Sequence, residues 1–241
     1  MRAACHGVLR TTSQKSRTGA ALRGEPGHPG GGQTRSAPPF DIHCAPMFIS
    51  FEGLDGSGGT TQIGLYEAAL VAEGRSVRRT REPSDGPVGT LIRSELAGGV
   101  VGDAVFGLLF AADRRDHLDR VVLPALARGE VVLTDRYFLS SLAYQSQSLG
   151  LDRVWQYNAE FPAPDAVVML DLPVEECLRR VEARGGVRDR FETLDQLQRI
   201  AASYESAILR CLARGDRVVR IDASGAPAEV HQRVRAAVWP G

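Results

Sequence analysis

Short apolar runs alternate with segments of helical periodicity along most of the chain. Five runs have the length and composition of buried strands, at residues 47–52, 76–80, 130–134, 165–171 and 217–221. Apolar strands that alternate with helices are typical of a parallel sheet covered on both faces. The pattern therefore predicts an α/β fold with a doubly wound, five-stranded parallel sheet that binds its ligands at the carboxyl ends of the strands.

The segments between the strands carry apolar residues at helical spacing and end at helix-stop signals. The predicted helices cover residues 60–73, 87–96, 103–128, 140–148, 152–160, 173–184, 193–214 and 226–238. Asp103 is the expected N-cap of the third helix, and Pro124 is expected to kink or divide it. Residues 185–192 are predicted to form a loop that carries arginines.

A glycine-rich segment joins the first strand to the first helix. It reads GLDGSGGTT over residues 53–61, a G-x-x-x-x-G pattern followed by Gly59, Thr60 and Thr61. Its four glycines let backbone N–H groups turn inward as an anion nest. The positive end of the following helix adds to the attraction for phosphate. This order of strand, loop and helix predicts a nucleotide-phosphate site with Thr60 as a ligand of Mg²⁺.

The segment departs from the usual phosphate-binding motif at residue 59. A lysine normally occupies this position and reaches the β- and γ-phosphates, but here the residue is glycine. The only lysine of the chain is Lys15, so residues 47–241 depend on arginine for cationic groups. Three interpretations remain open: a slow enzyme, another cation that fills the place, or a protein that binds nucleotide without transferring phosphate.

Composition narrows the class of protein. With 241 residues, of which 43% are hydrophobic and 24% charged, the chain suits one α/β domain with an appendage. No apolar run approaches about 18 residues, so no membrane span is expected. The 29 basic and 29 acidic side chains balance, which gives no argument for a nucleic-acid partner. The four cysteines are scattered, which argues against a zinc site or a disulfide framework and favours a reducing cytoplasm.

Residues 1–46 differ in composition from the rest, with 7 Gly, 5 Pro, 6 basic and 2 acidic residues. A basic, acid-poor leader resembles a targeting peptide, but no long apolar region or amphipathic face accompanies it. We favour two other interpretations, a disordered leader or a mis-assigned start with Met47 as the true first residue. Residues 47–241 are expected to form the folded domain.

Several motifs of the folded part resemble those of one family. They are FEGLDGSG-x-TTQ, TREP, LFAADR, LTDRYFLSSLAYQ and RDRFE, in this order. Together they resemble thymidylate kinase over essentially all of residues 47–241. The bacterial form is the more similar one, because its glycine loop lacks an arginine and its later mobile loop carries it. The resemblance implies the P-loop nucleoside-monophosphate kinase fold and transfer of the γ-phosphoryl group of ATP to dTMP, with Mg²⁺ as the cofactor.

The resemblance also assigns roles to individual residues. ATP would bind at Gly53, Leu54, Asp55, Gly56, Ser57, Gly58, Gly59, Thr60 and Thr61. The substrate dTMP would bind at Asp55, Arg81, Pro83, Phe110, Arg114, Arg136, Ser141 and Tyr144. The catalytic residues would be Asp135, Arg136 and Arg190, and the metal ligands Thr60 and Asp135.

Each of these roles has a chemical rationale and a plainer alternative. Asp55 would accept a hydrogen bond from the deoxyribose 3′-hydroxyl, Phe110 would stack on thymine, and Arg114 would donate to thymine O4. Tyr144 would crowd the 2′ position of the sugar and disfavour ribonucleotides. The plainer alternatives are an Asx-turn at Asp55, a core position for Phe110 and a surface position for Gln145.

Asp135 and Arg136 follow a buried strand, where the family places a Mg²⁺-water partner and a ligand of the dTMP phosphate. An ion pair that serves only the structure is the alternative. Residues 184–192 would form a mobile lid that excludes water, and Arg190 best matches the arginine that reaches the phosphates. We expect a lid arginine to replace the missing lysine.

The remaining expectations also follow from the resemblance. ATP and dTMP would be the partners, and the enzyme would be a cytoplasmic homodimer with no nucleic-acid or membrane partner. Two alternatives stay open: a catalytically impaired nucleotide-binding relative, and a kinase for another deoxynucleoside monophosphate.

Overall fold

The computed structural model describes residues 45–185 and 193–239 of the chain. Five parallel strands form one sheet in the order β2-β3-β1-β4-β5. The strands are β1 (Met47–Gly53), β2 (Val77–Arg81), β3 (Val131–Asp135), β4 (Ala166–Asp171) and β5 (Val218–Asp222). The predicted parallel sheet is confirmed, and each strand begins and ends within one residue of its predicted bounds.

Helices connect the strands and cover both faces of the sheet. They are α1 (Gly59–Ala72), α2 (Pro87–Leu96), α3 (Asp103–His117), α4 (Leu123–Ala127), α5 (Phe138–Tyr144), α6 (Ser146–Leu149), α7 (Leu151–Asn158), α8 (Val174–Arg184), α9 (Leu194–Arg214) and α10 (Pro227–Val238). A π-helical turn, Leu118–Val122, joins α3 to α4. Among the described residues, no helix is both long and apolar enough to cross a membrane.

Two predicted helices are divided in the structure. The helix expected over residues 103–128 consists of α3, the π-helical turn and α4, which follow one another without a gap. Pro124 is the second residue of α4, and because it has no N–H to continue the ladder, the helix changes to π-helical geometry just before it. The expected division is therefore confirmed. The helix expected over residues 140–148 is two helices, α5 and α6, which meet at Gln145.

The predicted N-cap of α3 is wrong by one residue. Gly102 occupies the N-cap position, and Asp103 is the first residue of the helix. At this first helical position, the Asp103 carboxylate still interacts favourably with the positive end of the helix. The expected leader over residues 1–46 lies outside the described residues except for Ala45 and Pro46, and so do residues 186–192 of the expected lid.

The three central strands, β1, β3 and β4, are buried on both faces. The edge strand β2 (VRRTR) is mostly exposed, so the prediction of a buried apolar strand is wrong there. Along β1, Phe48 belongs to the apolar cluster that packs under α5, α7 and α9, whereas Ile49 belongs to the cluster under α1 and α10. The same alternation holds in β3, where Val132 and Leu133 enter opposite clusters. Burial of both faces explains why these three central strands are continuous apolar runs rather than alternating ones.

Strand register brings three polar segments to the carboxyl edge of the sheet. Phe51 of β1 pairs with Asp135 of β3, and Asp135 pairs with Arg81 of β2. The glycine loop (residues 53–61) begins at the last residue of β1. The loop, Asp135 and Arg81 therefore meet at the edge where open α/β sheets bind their ligands.

Backbone geometry explains three of the glycines in the loop. Gly53, Gly56 and Gly58 have φ angles of 151°, 88° and 103°, in the region that favours glycine. A Cβ atom on residue 56 would lie 2.3 Å from the carbonyl oxygen of Cys177 in α8. The loop therefore packs backbone against backbone on α8, and this close contact positions the helix.

The substitution Gly56→Ala tests the contact between the glycine loop and α8. Gly74 is a matched control, because it has φ 81° but nothing within 4 Å of an added Cβ. Gly74→Ala should lower the free energy of unfolding by only about 1–2 kcal/mol, which is the cost of an alanine in the left-handed conformation. Gly56→Ala adds a collision worth about 1–3 kcal/mol more. Urea unfolding measures both losses, and equal losses would show that α8 does not depend on this contact.

Candidate active site

Two neighbouring cavities lie at the carboxyl edge of the sheet, and Asp55, Glu82 and Arg136 line both of them. The first, the loop cavity, has a volume of about 590 Å³ and is lined by all nine residues of the glycine loop. The second, the inner pocket, lies between α3 and α5. Its lining includes seven of the eight predicted dTMP-binding residues: Asp55, Pro83, Phe110, Arg114, Arg136, Ser141 and Tyr144.

The eighth predicted dTMP-binding residue, Arg81, lines the loop cavity instead. It is exposed, and its guanidinium donates to Asp85 Oδ1 at 2.7 Å. Of the lid arginines, Arg184 ends α8 and lines the loop cavity, whereas Arg188 and Arg190 lie outside the described residues.

The glycine loop leads directly into α1, which begins at Gly59. The first N–H groups of a helix have no partner within it and carry a partial positive charge. Since Gly59, Thr60 and Thr61 line the loop cavity, this positive helix end borders the cavity. The arrangement suits a phosphate group.

Thr60 and Asp135 meet at the floor of the loop cavity. The Thr60 hydroxyl donates to Asp135 Oδ2 at 2.8 Å. Hydroxyl and carboxylate oxygens are donors that fit Mg²⁺, which binds few protein groups and completes its shell with water and phosphate oxygens. No group of three or more His, Cys, Asp or Glu residues in the described ranges forms a metal cage. The pair therefore fits a Mg²⁺ ion that arrives with a phosphate ligand.

Arg136 and Asp55 form a charged pair at the boundary between the two cavities. The guanidinium donates to Asp55 Oδ1 at 2.9 Å and to Ser140 Oγ at 3.0 Å. The second carboxylate oxygen of Asp55 accepts from the Tyr144 hydroxyl at 3.0 Å. Burial acts to lower the pKa of Arg136, but the interactions with Tyr144 and Asp55 outweigh burial and raise this pKa. The guanidinium therefore stays charged.

The backbone of Arg136 is in an unusual conformation. Its φ of 69° makes it a non-glycine residue in the left-handed region. Such a conformation costs about 1–3 kcal/mol and persists where surrounding contacts impose it, often at functional sites. Arg136 pairs with Asp55 rather than with Asp135, so the structural ion pair considered for Asp135 and Arg136 is not the one formed. Both Arg136 and Asp55 line both cavities, so their pair lies within the site.

Arg114 lies in a buried polar network beside the inner pocket. Its Nε and Nη2 atoms donate to Glu82 Oε2 at 2.9 and 2.6 Å, and Nη2 also donates to Ser141 Oγ at 3.0 Å. Nη1 donates to Asn158 Oδ1. The other oxygen of Glu82 lies 3.1 Å from His117 Nδ1. The network holds a charged donor in one orientation in a nearly dry environment.

Phe110 lies one helical turn before Arg114, on the same face of α3. It is half-buried and lines the inner pocket, and it contacts Phe106 edge to face with ring centroids 5.1 Å apart. The plainer alternative, in which Phe110 is an ordinary core residue, is therefore wrong. Its partly open ring offers an aromatic surface to a ligand.

Gln145 is buried, and its expected surface position is wrong. The residue is 6% exposed and lines the inner pocket, and its Oε1 atom has no hydrogen-bond partner among the described residues. An unpaired buried acceptor costs about 1–3 kcal/mol. This oxygen indicates a ligand that brings an N–H donor. Its burial follows from its place at the end of α5, whose residues are all buried.

Two further site residues were missed because their partners are distant in sequence. Tyr204 of α9 donates to the Gly53 carbonyl at 3.2 Å and lies 3.4 Å from Arg136 Nη1. Glu52, which is 2% exposed, accepts from Ser140 Oγ at 2.5 Å and from the Tyr137 N–H at 2.9 Å. Burial raises the pKa of Glu52 to about 8, although Ser140 and Arg136 act to lower it.

The two cavities differ in chemistry. One offers backbone N–H groups, arginines and a Thr–Asp pair, which suit a polyphosphate. The other offers an aromatic ring and oriented polar groups, which suit a planar heterocycle. In P-loop nucleoside-monophosphate kinases, a site for a phosphate donor and a site for a ring-bearing acceptor meet at one arginine. The fold and the site place the chain in this class.

Comparison with known proteins gives the family within this class. The family model described as thymidylate kinase matches residues 51–234. A "Probable thymidylate kinase" of Pyrococcus abyssi is 41% identical over 200 residues, which cover 79% of this chain and 95% of the relative. A "Thymidylate kinase" of Xanthomonas oryzae pv. oryzae is 42% identical over 154 residues, 64% of this chain and 68% of the relative. The chain belongs to the thymidylate kinase family.

Glu52 gives a prediction for the pH dependence of stability. Its pKa rises from 4.5 to about 8 on folding, so the folded protein binds this proton more tightly, and the resulting stabilisation is lost as the pH rises through this window. The free energy of unfolding of the wild type, minus that of Glu52→Gln, should fall with pH by up to about 1.4 kcal/mol per unit. Urea denaturation at several pH values measures it. A constant difference would mean that Glu52 is ionised in the folded protein.

Proposed function

We propose that this chain transfers the γ-phosphoryl group of ATP to dTMP, giving dTDP and ADP for dTTP synthesis, in the manner of the bacterial members of the family. The observation that carries the proposal is the Arg136–Asp55 pair, since both residues line the loop cavity and the inner pocket. A donor phosphate in one cavity and an acceptor phosphate from the other would meet there.

The donor would bind in the loop cavity. The N–H groups of the glycine loop and of the first turn of α1 bind the phosphates of ATP, and Thr60 and Asp135 hold Mg²⁺. The ion that these two residues would hold would supply positive charge against the negative charge that develops on the phosphoryl oxygens during transfer. Thr60 and Asp135 hold each other in position at 2.8 Å, which supports this assignment.

The acceptor base would bind in the inner pocket. Phe110 stacks on thymine, and Arg114, oriented by Glu82, donates to a ring carbonyl. The ring N–H of thymine supplies the donor that Gln145 Oε1 lacks. A cytosine ring has no such N–H, so this contact favours thymine.

The sugar of dTMP would lie between the base and the transferred phosphoryl group. Asp55 and Tyr144, which are joined by a 3.0 Å hydrogen bond, would contact it, and Tyr144 would crowd its 2′ position. Pro83 and Ser141 complete this wall of the inner pocket, and Arg81 lies on the loop side.

Phosphoryl transfer requires positioned charge rather than a reactive side chain. An oxygen of the dTMP phosphate forms a bond to the γ-phosphorus, and the bond from that phosphorus to the β–γ bridging oxygen breaks, which leaves ADP. Arg136 stabilises the equatorial oxygens and aligns the acceptor phosphate. Arg190 lies outside the described residues and stays a predicted second cation.

Residue 59 is the position at which P-loop proteins carry a lysine, and we propose that this enzyme works without it. Gly59 does not have a positive φ, and a Cβ there would meet only Asp135 Oδ1, at 3.4 Å. The backbone therefore does not require glycine, and a Cβ at residue 59 makes only ordinary van der Waals contact. Because one positioned contact of this kind commonly contributes about 10²- to 10³-fold in rate, Gly59 also favours a second candidate function, nucleotide binding without turnover.

We also propose that the enzyme is a cytoplasmic homodimer. Cys177 and Cys211 are buried free thiols, which suits a reducing compartment. Large apolar side chains are exposed on two neighbouring helices, Leu91 on α2 and Val105 and Leu108 on α3. Val105 and Leu108 are three residues apart and share one face of α3. A second copy of the chain would cover this surface.

An ADP-release assay with dTMP, dUMP, UMP and AMP tests the proposed reaction. Turnover should be fastest with dTMP and should fall about 10²- to 10³-fold in Arg136→Ala. Arg78→Ala is the control, because Arg78 lies on the neighbouring strand β2 outside both cavities and pairs with Glu130. Protein that binds ATP–Mg²⁺ but phosphorylates none of the four acceptors would be a nucleotide-binding relative without kinase activity.

Sedimentation equilibrium tests the proposed dimer. Leu108→Asp should shift the protein from dimer to monomer, because it places a charge in the apolar contact. Leu209→Asp, at an exposed apolar position on α9, should leave the mass unchanged. A wild type that sediments as a monomer, or an equal effect of both substitutions, would refute dimerisation through α2 and α3.

A further inference from the structure

Four arginines line the loop cavity and are candidates for the cationic role that a lysine at residue 59 would have: Arg81, Arg136, Arg180 and Arg184. Arg81 and Arg136 come from the ends of β2 and β3 and are paired with Asp85 and Asp55. Arg180 and Arg184 come from α8 and lie one turn apart on the same face. The helix α8 therefore presents positive charge to the donor side of the site.

Arg180 is the arginine that the geometry places beside the glycine loop. Its Nη1 atom lies 3.9 Å from the point that a Cβ on Gly58 would occupy. Gly58 directly precedes Gly59, whose Cβ direction leads toward Asp135 instead. The guanidinium thus reaches the phosphate-binding backbone next to the residue that lacks a side chain.

The position of Arg180 follows from the contact between the loop and α8. Gly56 packs against the backbone of Cys177, and Arg180 is three residues further along the same helix. A cation on a rigid helix is preorganised, so it needs no reorganisation when charge develops on a phosphate. Arg180 can therefore act without the movement of a lid.

Glu176 holds Arg180 in this orientation. Arg180 Nε donates to Glu176 Oε1 at 2.9 Å, while Nη1 extends to the loop. Glu176 also accepts two hydrogen bonds from Arg179, at 2.6 and 2.8 Å. The hydrogen bonds from Arg179 and Arg180 lower the pKa of Glu176 to about 2, so its carboxylate stays charged.

From these contacts we infer that Arg180 binds the donor phosphates and supplies the positive charge that residue 59 does not. The planar guanidinium suits this role, because it presents paired N–H donors to phosphate oxygens. The inference rests on the proposed ATP site, and it assigns the compensating charge to α8 rather than to the loop at residues 186–192.

A double-mutant cycle tests whether Arg180 supplies the same positive charge to the donor phosphates as a lysine at residue 59 would. The kcat and the KM for ATP are measured for the wild type, Arg180→Ala, Gly59→Lys and the double variant. Arg180→Ala should lower kcat/KM for ATP by about 10²- to 10³-fold. Gly59→Lys should raise kcat/KM at least about tenfold more in the Arg180→Ala background than in the wild type. Equal effects of Gly59→Lys in both backgrounds, or a rise of about 10²-fold in the wild type, would overturn the inference.

Two variants separate the charge of Arg180 from its place in α8. Arg179 pairs with Glu176 but does not line the loop cavity. Arg179→Ala should therefore change kcat/KM for ATP by less than about threefold. Arg180→Lys should recover part of the loss, because it keeps the charge but not the paired donors. Rescue by Gly59→Lys in an Arg190→Ala background but not in Arg180→Ala would place the compensating charge on residues 186–192 and overturn the inference.

Calorimetric binding of ATP–Mg²⁺ without acceptor distinguishes this inference from the proposed reaction. Arg180→Ala should weaken ATP binding at least about tenfold and leave dTMP binding unchanged. Unchanged ATP affinity would overturn the inference. A wild type that binds ATP in an Arg180-dependent way but phosphorylates no acceptor would support the role of Arg180 and refute the kinase activity.

Discussion

The ion pair between Arg136 and Asp55 joins the two parts of the site. Arg136 follows β3 and Asp55 follows β1, so the pair spans neighbouring strands at the carboxyl edge of the sheet. Through it the glycine loop is linked to Tyr144 on one side and to Ser140 and the buried carboxylate of Glu52 on the other. The left-handed backbone of Arg136 is retained because so many contacts depend on the direction of its side chain.

The described part of the site has arginines and no lysine, and a carboxylate positions three of these arginines. Glu82 holds Arg114, Asp55 holds Arg136, and Glu176 holds Arg180. A guanidinium keeps its charge when it is buried and has several donors, so it can bind a carboxylate and still donate to other groups. A lysine ammonium has a single nitrogen and cannot be shared in this way.

The fold was predictable because its signals are local. Strand length, helical periodicity and the glycine loop each occupy a few consecutive residues, and parallel strands bring their carboxyl ends together. The clustering of Phe110 with Arg114 followed from helical spacing alone. The burial of Gln145 and the contact of Tyr204 with Gly53 were not predictable, because they depend on the packing of α5 and α9, which no local pattern specifies. Arg180 was overlooked for the same reason: its role depends on how α8 rests on Gly56.

The unpaired amide oxygen of Gln145 links occupancy of the inner pocket to the persistence of the fold. An acceptor without a partner in a dry interior weakens the empty protein, and a bound base that pairs with it removes this penalty. Ligands that bind only the native chain shift the folding equilibrium by mass action. A base bound in the inner pocket would therefore raise the free energy of unfolding of the enzyme.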